Sequence, residues 1–303
     1  MTKVDNPQAL GCRTMSKPQI TFEPLHRDFG ARVHGLDLSV PISAEVADVL
    51  SSAMDEYSLL HIANQPITDE IHLALTRALG EPEPNHLILG ATGEIEYFGS
   101  IGNVVDEKTH KGNDDAQTIY LSGNYMWHSD SSFRDVPSKF SINHAHEVPG
   151  EGGETLFVSE RAAYERLSEA KKQEIDPLIV IHDYLFSRSQ VAPVNPNHAA
   201  QFPAVEHKLV RTNPNNGRKN FYVGSHARTI AGYGGVQARQ LLDELLDIRT
   251  RDEDIYTHRW QVGDTVIWDN RSTLHRGSGY DADRWRRLMR QTRVAGTGPT
   301  LNE

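Results

Sequence analysis

The segment Asn124-Tyr-Met-Trp-His-Ser-Asp-Ser-Ser-Phe133 places a histidine and an aspartate two positions apart, at His128 and Asp130. Residues i and i+2 of a strand project from the same face, so this imidazole and this carboxylate would enter one cavity. Two histidines and one carboxylate bind Fe(II) and leave coordination positions open for other ligands. We expect His275 to complete the set. A His-x-Asp pair on its own is weak evidence for a metal site, because such a pair is more often a hydrogen-bonded surface pair.

Arginines follow His275 at distances that favour anion binding. Arg286 lies 11 residues after His275 and Arg290 lies 15 after it, so on one strand the two would share a face. A guanidinium binds a carboxylate through two parallel hydrogen bonds. We expect one of the two arginines to bind the far carboxylate of a dicarboxylate co-substrate and the other to bind a second anion. Thr155, after a glycine turn, could donate to the same carboxylate. The alternative is that the arginines between 284 and 293 form a charged, solvated face.

Short strands and a few surface helices must position these residues. Apolar spacing predicts a helix from about Ser43, with Val46, Val49, Leu50 and Met54 on one face, and a second helix between Thr68 and Gly80. Further helices are predicted over about 160–174 and 237–248, and a strand over 58–63. Two hairpins are predicted, one joining 208–211 to 221–223 and one joining 258–261 to 265–268. This pattern favours an antiparallel sandwich or jelly roll that carries helices.

Composition excludes several classes of protein. The 303 residues contain 31 Lys plus Arg and 41 Asp plus Glu, a net charge of −10, which disfavours general nucleic-acid binding. Mean hydropathy is −0.53, and no apolar run approaches the length of a membrane span. The single cysteine, Cys12, rules out an intrachain disulfide and a Cys-rich zinc site. We expect no secretory signal and a cytoplasmic protein, with residues 1–19 a mobile tail and 20–303 a single domain.

Together these residues resemble the taurine dioxygenase and 2,4-dichlorophenoxyacetate dioxygenase family of Fe(II)/2-oxoglutarate-dependent oxygenases, most closely its herbicide-degrading branch. The segments that carry the resemblance extend over most of the chain and are WHSDSSF (127–133), VPGEGGET (148–155), GRKNFYVGSHA (217–227), HRWQVGD (258–264), WDNRSTLHRG (268–277) and the arginine-rich 284–293. The resemblance implies a double-stranded β-helix core, also called jelly-roll or cupin-like. It also implies Fe(II) as the metal, and 2-oxoglutarate and O2 as co-substrates.

The same resemblance assigns roles residue by residue. It implies that His128, Asp130 and His275 bind the iron, and that Thr155 and Arg286 bind the distal carboxylate of 2-oxoglutarate. It places Arg290 near the substrate anion and the co-substrate's other carboxylate. His86 and Asn124 match positions that contact substrate. The implied reaction is oxidation of an aliphatic C–H bond in a small carboxylate or sulfonate, with release of succinate and CO2. The implied assembly is a homo-oligomer without nucleic-acid or membrane partners.

Other functions are also compatible with parts of the pattern. The same cofactor chemistry could serve desaturation or cyclisation of an amino-acid-derived acid. A metal-binding cupin sensor would keep the fold but would not need Thr155 and Arg286. A zinc hydrolase would need a general base beside a ligand, and the His-Glu-x-x-His motif that supplies one is absent from the sequence.

Overall fold

A computed structural model describes residues 19–85 and 96–303 of the chain. Apart from Gln19, the predicted N-terminal tail lies outside these residues. The strands are β1 (Thr21–Pro24), β2 (Ala31–His34), β3 (Leu59–Ile62), β4 (Gly99–Gly102), β5 (Phe140–Glu147), β6 (Thr155–Ser159), β7 (Ile179–His182), β8 (Val205–Lys208), β9 (Val210–Thr212), β10 (Lys219–Phe221), β11 (Ala227–Ile230), β12 (Tyr256–His258), β13 (Thr265–Asp269), β14 (Thr273–Gly277) and β15 (Leu288–Val294).

The α-helices of the described residues pack around these strands. They are α1 (Ala44–Tyr57), α2 (Asp69–Leu79), α3 (Ala116–Leu121), α4 (Glu160–Glu165), α5 (Glu169–Ile175), α6 (Tyr184–Arg188), α7 (Pro196–Ala199) and α8 (Gly235–Arg249). None of the described helices combines the length and the apolar character that crossing a lipid bilayer requires.

Two sheets face each other across the core. The larger has seven strands in the order β1-β2-β3-β13-β5-β15-β4, and the smaller is the antiparallel set β12-β6-β14. Phe157 of β6 packs on Trp268 of β13 with ring centroids 5.6 Å apart, and both join Met289 in one buried apolar cluster. The expected β core with surrounding helices is therefore confirmed. Because side chains of β5, β13 and β15 alternate between the two faces of the large sheet, every second residue faces the smaller sheet.

Helices α1 and α2 cover the outer face of the large sheet. The side chain of Ser43 accepts from the backbone N–H of Val46, and that of Thr68 accepts from Ile71, so both predicted helix starts are correct. Leu50 and Leu75 are buried in the cluster beneath them. The predicted apolar face of α1 is partly wrong, since Val49 is 42% exposed; the buried stripe runs through Ala47, Leu50 and Met54 instead.

Two other predictions need correction. The helix expected over 160–174 is two helices, because Ser168 caps the start of α5 with its own side chain just after α4 has ended. The hairpin expected around Val262-Gly263-Asp264 does not exist: β12 pairs with β6, whereas β13 pairs with β3 and β5. That turn instead carries the chain from one sheet to the other. The other predicted hairpin is confirmed, as β9 pairs antiparallel with β10.

Candidate active site

Backbone pairing brings His128 and His275 side by side between the two sheets. The two residues form an isolated antiparallel bridge, with His128 N donating to His275 O at 3.0 Å and His275 N donating to His128 O at 2.9 Å. Their rings lie 4.2 Å apart between centroids. Asp130 follows two residues later, where its backbone N–H donates to the side-chain oxygen of the buried Asn270. The expected convergence of two imidazoles and a carboxylate is therefore present.

One oxygen of the Asp130 carboxylate faces both histidines. Its Oδ1 lies 3.8 Å from His128 Nε2 and 3.9 Å from His275 Nε2. The other oxygen, Oδ2, accepts from Ser141 Oγ at 2.6 Å and from Gln291 Nε2 at 3.0 Å. Because these two donors hold Oδ2, the carboxylate presents Oδ1 as a single oriented ligand atom.

Both imidazoles are in the form that binds a metal ion. Burial lowers the pKa of His128, and burial together with the neighbouring His128 lowers the pKa of His275 to about 3. The Nδ1 atom of His128 lies 2.8 Å from the carbonyl oxygen of Met126, which can only accept. The proton is therefore on Nδ1, and Nε2 offers its lone pair. A buried set of two neutral imidazoles and one carboxylate fits Fe(II) with positions left open.

The hydroxyl of Ser141 offers a test of this orientation. Replacing Ser141 with alanine removes the 2.6 Å donor to Asp130, and we expect Fe(II) affinity to fall about 10- to 100-fold, as is usual for partners of metal ligands. Ser138→Ala is the matched control, because Ser138 donates at the same distance to Glu83 instead. Anaerobic Fe(II) titration measures both variants. Equal affinities in the two variants would contradict the role of Ser141.

Thr155 lies in the same cavity as the histidines and Asp130. It begins β6, and its Oγ1 accepts from the indole N–H of Trp260 at 2.9 Å. Because the indole supplies that proton, the threonine keeps its own hydroxyl proton to donate to another acceptor. Trp260 belongs to the apolar cluster between the sheets, which fixes the position of the hydroxyl.

The structure does not bring Arg286 and Arg290 to this cavity, contrary to our sequence interpretation. Arg286 donates to both carboxylate oxygens of Glu147, at 2.7 and 2.9 Å, on the surface. Arg290 pairs with Asp69 of α2 at 2.7 Å on the outer face of the large sheet. The two arginines do share a side of the chain, but it is the side away from His128, Asp130 and His275. A shift of one residue exchanges the faces of a strand.

Their neighbours Arg287 and Gln291 line the cavity instead. Arg287 is buried, and its Nε has no hydrogen-bond partner in the structure. No carboxylate of the described residues forms an ion pair with it. Burial lowers its pKa from 12.5, yet a guanidinium stays charged at neutral pH. A buried cation without a counter-ion is costly, so this position requires an anionic ligand.

The sequence gives little help with this one-residue difference. Leu288 and Met289 are both apolar, so either could define the inward face; in the structure Met289 does so, and Gln291 and Arg293 follow it. β15 starts only at Leu288 and has an irregular register between Leu288 and Met289. The sequence alone therefore does not show which of residues 286 and 287 faces the cavity.

Of the residues expected to contact substrate, Asn124 lines the cavity, and its Oδ1 accepts from Arg188 at 3.2 Å. Arg188 also lines the cavity. His86 lies outside the described residues. Several other histidines of the described residues are buried and do not line this cavity, among them His144, His182 and His207.

A second group of two histidines and an aspartate lies elsewhere in the core. His61 Nε2 is 3.1 Å from Asp264 Oδ1, and His258 Nε2 is 3.4 Å from Asp264 Oδ2. The sequence did not single out this group. All three side chains are buried, and none lines the cavity that contains Thr155 and Arg287. Of these two groups in the described part of the chain, the one around Asp130 therefore combines possible metal ligands with room for further ligands.

Comparisons with known proteins agree with this geometry. The family model described as taurine catabolism dioxygenase TauD, TfdA family, matches residues 21–292. An alpha-ketoglutarate-dependent 2,4-dichlorophenoxyacetate dioxygenase from Cupriavidus pinatubonensis is 34% identical over 278 residues, 90% of this chain and 97% of the relative. A (S)-phenoxypropionate/alpha-ketoglutarate-dioxygenase from Sphingobium herbicidovorans is 32% identical over 287 residues, 92% of this chain and 96% of the relative.

A solved structure is similar over nearly the same length. The crystal structure of AAD-2 in complex with Mn(II) and N-oxalylglycine is 36% identical, with a TM-score of 0.85, and the match covers 93% of this chain and 98% of that one. N-oxalylglycine is an analogue of 2-oxoglutarate. The family model matches nearly the whole described chain, and the relatives are similar to it over almost their entire length. The chain belongs to the TauD/TfdA family of 2-oxoglutarate-dependent dioxygenases.

Proposed function

We propose that the protein couples oxidative decarboxylation of 2-oxoglutarate to hydroxylation of an aliphatic C–H bond in a small organic anion. In the balanced reaction, 2-oxoglutarate, O2 and R–H give succinate, CO2 and R–OH. One observation carries the proposal: the metal-binding group around Asp130 shares a cavity with Thr155 and with the buried, uncompensated Arg287. A metal site beside an anion site is what this co-substrate requires.

The ligands His128, Asp130 and His275 would hold Fe(II). When bound, the iron activates O2, and 2-oxoglutarate supplies the reducing electrons. The protein contributes the geometry: Ser141 and Gln291 fix the carboxylate of Asp130, and the Met126 carbonyl fixes the imidazole of His128. These contacts hold the ligand atoms in place before the metal binds.

Thr155 and Arg287 would bind the distal carboxylate of 2-oxoglutarate. The free hydroxyl proton of Thr155 and the unpartnered N–H of Arg287 both belong to the wall of the cavity. Bound there, the co-substrate would direct its keto acid end toward the metal ligands. We therefore transfer to Arg287 the role that the sequence suggested for Arg286.

The names of the relatives support an anionic substrate. Those proteins are named for 2,4-dichlorophenoxyacetate and (S)-phenoxypropionate, which are small carboxylates with an oxidisable C–H group next to oxygen. We propose a substrate of this general kind for the present protein. We also propose that the two packed sheets form the double-stranded β-helix that the sequence resemblance implies.

Anaerobic absorption spectroscopy tests the proposed function before any substrate is identified. Adding Fe(II) and then 2-oxoglutarate to the metal-free protein should give a weak visible charge-transfer band, and exposure to O2 should then yield succinate. His275→Ala should show neither, while far-UV circular dichroism confirms that the variant is folded. Folded, iron-loaded protein that gives no band and no succinate would exclude the oxygenase and favour a non-catalytic metal-binding protein.

A further inference from the structure

Arg188 is a second cation in the cavity whose charge the structure leaves uncompensated. It is the last residue of α6, and the described residues provide no carboxylate that pairs with it. Its Nη2 donates to Asn124 Oδ1 at 3.2 Å. Its Nε and Nη1 are buried and have no hydrogen-bond partner in the structure. Four of the five N–H groups of this guanidinium therefore remain available.

The surrounding residues hold the Arg188 guanidinium in the cavity wall. It lies over the ring of Tyr120, 5.2 Å from the ring centroid, and the Tyr120 hydroxyl contacts that of Tyr184 on α6. A side chain at position 123 would collide with Nη1, so Gly123 leaves the space that the guanidinium occupies. Aromatic contact and the hydrogen bond to Asn124 restrict the rotamers of a long side chain, which lowers the entropy cost of binding an anion there.

The other arginines of the cavity differ from Arg188. Arg293 forms an ion pair with Glu83, whose Oε1 accepts from its Nε at 3.0 Å and which also pairs with Arg134. Arg287 lies on the segment before β15 and would be used by 2-oxoglutarate. Among the arginines that line the cavity in the described residues, Arg188 is therefore the cation left once the co-substrate is bound.

Arg188 lies on the side of the cavity formed by the chain that leads to the metal ligands. Its partner Asn124 belongs to the short 3-10 helix Ser122–Tyr125, four residues before His128. Arg188, Asn124 and His128 all line the same cavity. An anion bound at Arg188 would therefore share the cavity with the group around Asp130.

We propose that Arg188, oriented by Asn124 and Tyr120, binds the anionic group of the primary substrate. This inference rests on the proposed function and specifies its substrate: an organic molecule with one carboxylate or sulfur oxyanion, which the guanidinium holds while the rest of the molecule extends toward the metal. Neutral analogues of the same shape are poor ligands, because they leave the buried charge of Arg188 without a partner.

The test uses the charge-transfer band of the anaerobic Fe(II)/2-oxoglutarate complex, since a substrate bound beside the iron perturbs it. The probes are phenoxyacetate, hexyl sulfate and hexanesulfonate, with phenoxyacetamide as the neutral counterpart. We expect at least one anion to perturb the band of the unmodified protein at a concentration at least about 10-fold lower than the amide requires. Arg188→Gln should raise the half-saturating concentration of that anion about 10- to 100-fold, the effect of losing a charged hydrogen bond.

Two further variants complete the experiment. Arg228→Gln is the control, because Arg228 pairs with Asp183 at the start of α6 on the surface and does not line the cavity; it should leave anion binding unchanged. Arg188→Lys keeps the charge and should bind the anion more tightly than Arg188→Gln. Normal titration of the band with 2-oxoglutarate in Arg188→Gln shows that the variant is folded and that the co-substrate site is intact.

The outcomes separate the two proposals. Tight binding of phenoxyacetate alone would identify a carboxylate, and tight binding of the sulfate or the sulfonate alone would identify a sulfur oxyanion. The role of Arg188 alone would be overturned if the 2-oxoglutarate band is normal but no anion binds. The same conclusion would follow if the anions bind no better than the amide, or if Arg188→Gln binds them as well as the unmodified protein does. The absence of the band in the unmodified protein would overturn the proposed function, and this inference with it.

Discussion

Asp130→Asn is expected to weaken Fe(II) binding by at least about 100-fold and to abolish turnover, a larger effect than the loss of a residue that only orients a metal ligand. The substitution removes the negative charge, and it also replaces the oxygen atom that faces the histidines with a hydrogen-bond donor. Ser141 and Gln291 both donate to the Oδ2 position, so the amide of an asparagine would place its oxygen there. Its NH2 group would then face the two histidines, where a metal ligand is needed.

The second group of two histidines and an aspartate provides the matched control for this prediction. Asp264→Asn makes the same chemical change at a carboxylate that also lies between two imidazoles, those of His61 and His258. We expect it to lower thermal stability, because Asp264 is buried and holds both rings, and to leave the Fe(II)/2-oxoglutarate band in place. Anaerobic Fe(II) titration and thermal unfolding measure both variants. Loss of iron binding in Asp264→Asn, with normal binding in Asp130→Asn, would place the iron in the buried group instead.

The sequence could predict part of the candidate metal-binding group because the relative position of His128 and Asp130 follows from a short-range rule. His128 and Asp130 are two residues apart, and alternation alone puts them on one side of an extended chain. His275 and Thr155 were candidates from their local sequence and were also implied by the resemblance, and the structure places both in the cavity. The sequence did not point to the group around Asp264, because that group depends on His61 meeting the distant pair His258 and Asp264 in the core.

Long-range pairing explains what the sequence could not predict. The turn at Val262-Gly263-Asp264 looks like a hairpin locally, but β12 and β13 pair with partners far away in the chain, in different sheets. The same limit applies to Ser141, whose importance depends on β5 lying beside β13 and β15. Arg188 reaches the cavity from a helix 60 residues after His128 in the chain, and no spacing rule connects the two.

Arg287→Gln is expected to raise the 2-oxoglutarate concentration needed for half-maximal activity by at least about 100-fold, while Arg286→Gln changes it by no more than about twofold. Two charged hydrogen bonds of about 1.5–3 kcal/mol each account for the first effect. Arg286 lies at the surface and pairs with Glu147, so its removal should change stability little. Comparing the 2-oxoglutarate requirement of the two variants therefore shows which of Arg286 and Arg287 faces the cavity.

Thermal unfolding separates the binding role of Arg287 from a structural one. In the metal-loaded protein without co-substrate, the Arg287 guanidinium is buried without an anionic partner, so Arg287→Gln should unfold at a temperature no lower than that of the unmodified protein. Adding 2-oxoglutarate should then stabilise the unmodified protein and Arg286→Gln, because a ligand bound only to the folded state raises its stability, and should leave Arg287→Gln unchanged. A structural arginine would show the opposite pattern, with a lower unfolding temperature and a normal response to co-substrate. If Arg286→Gln lost that response and Arg287→Gln kept it, the original assignment of Arg286 would stand and the register of this segment would have to be shifted by one residue.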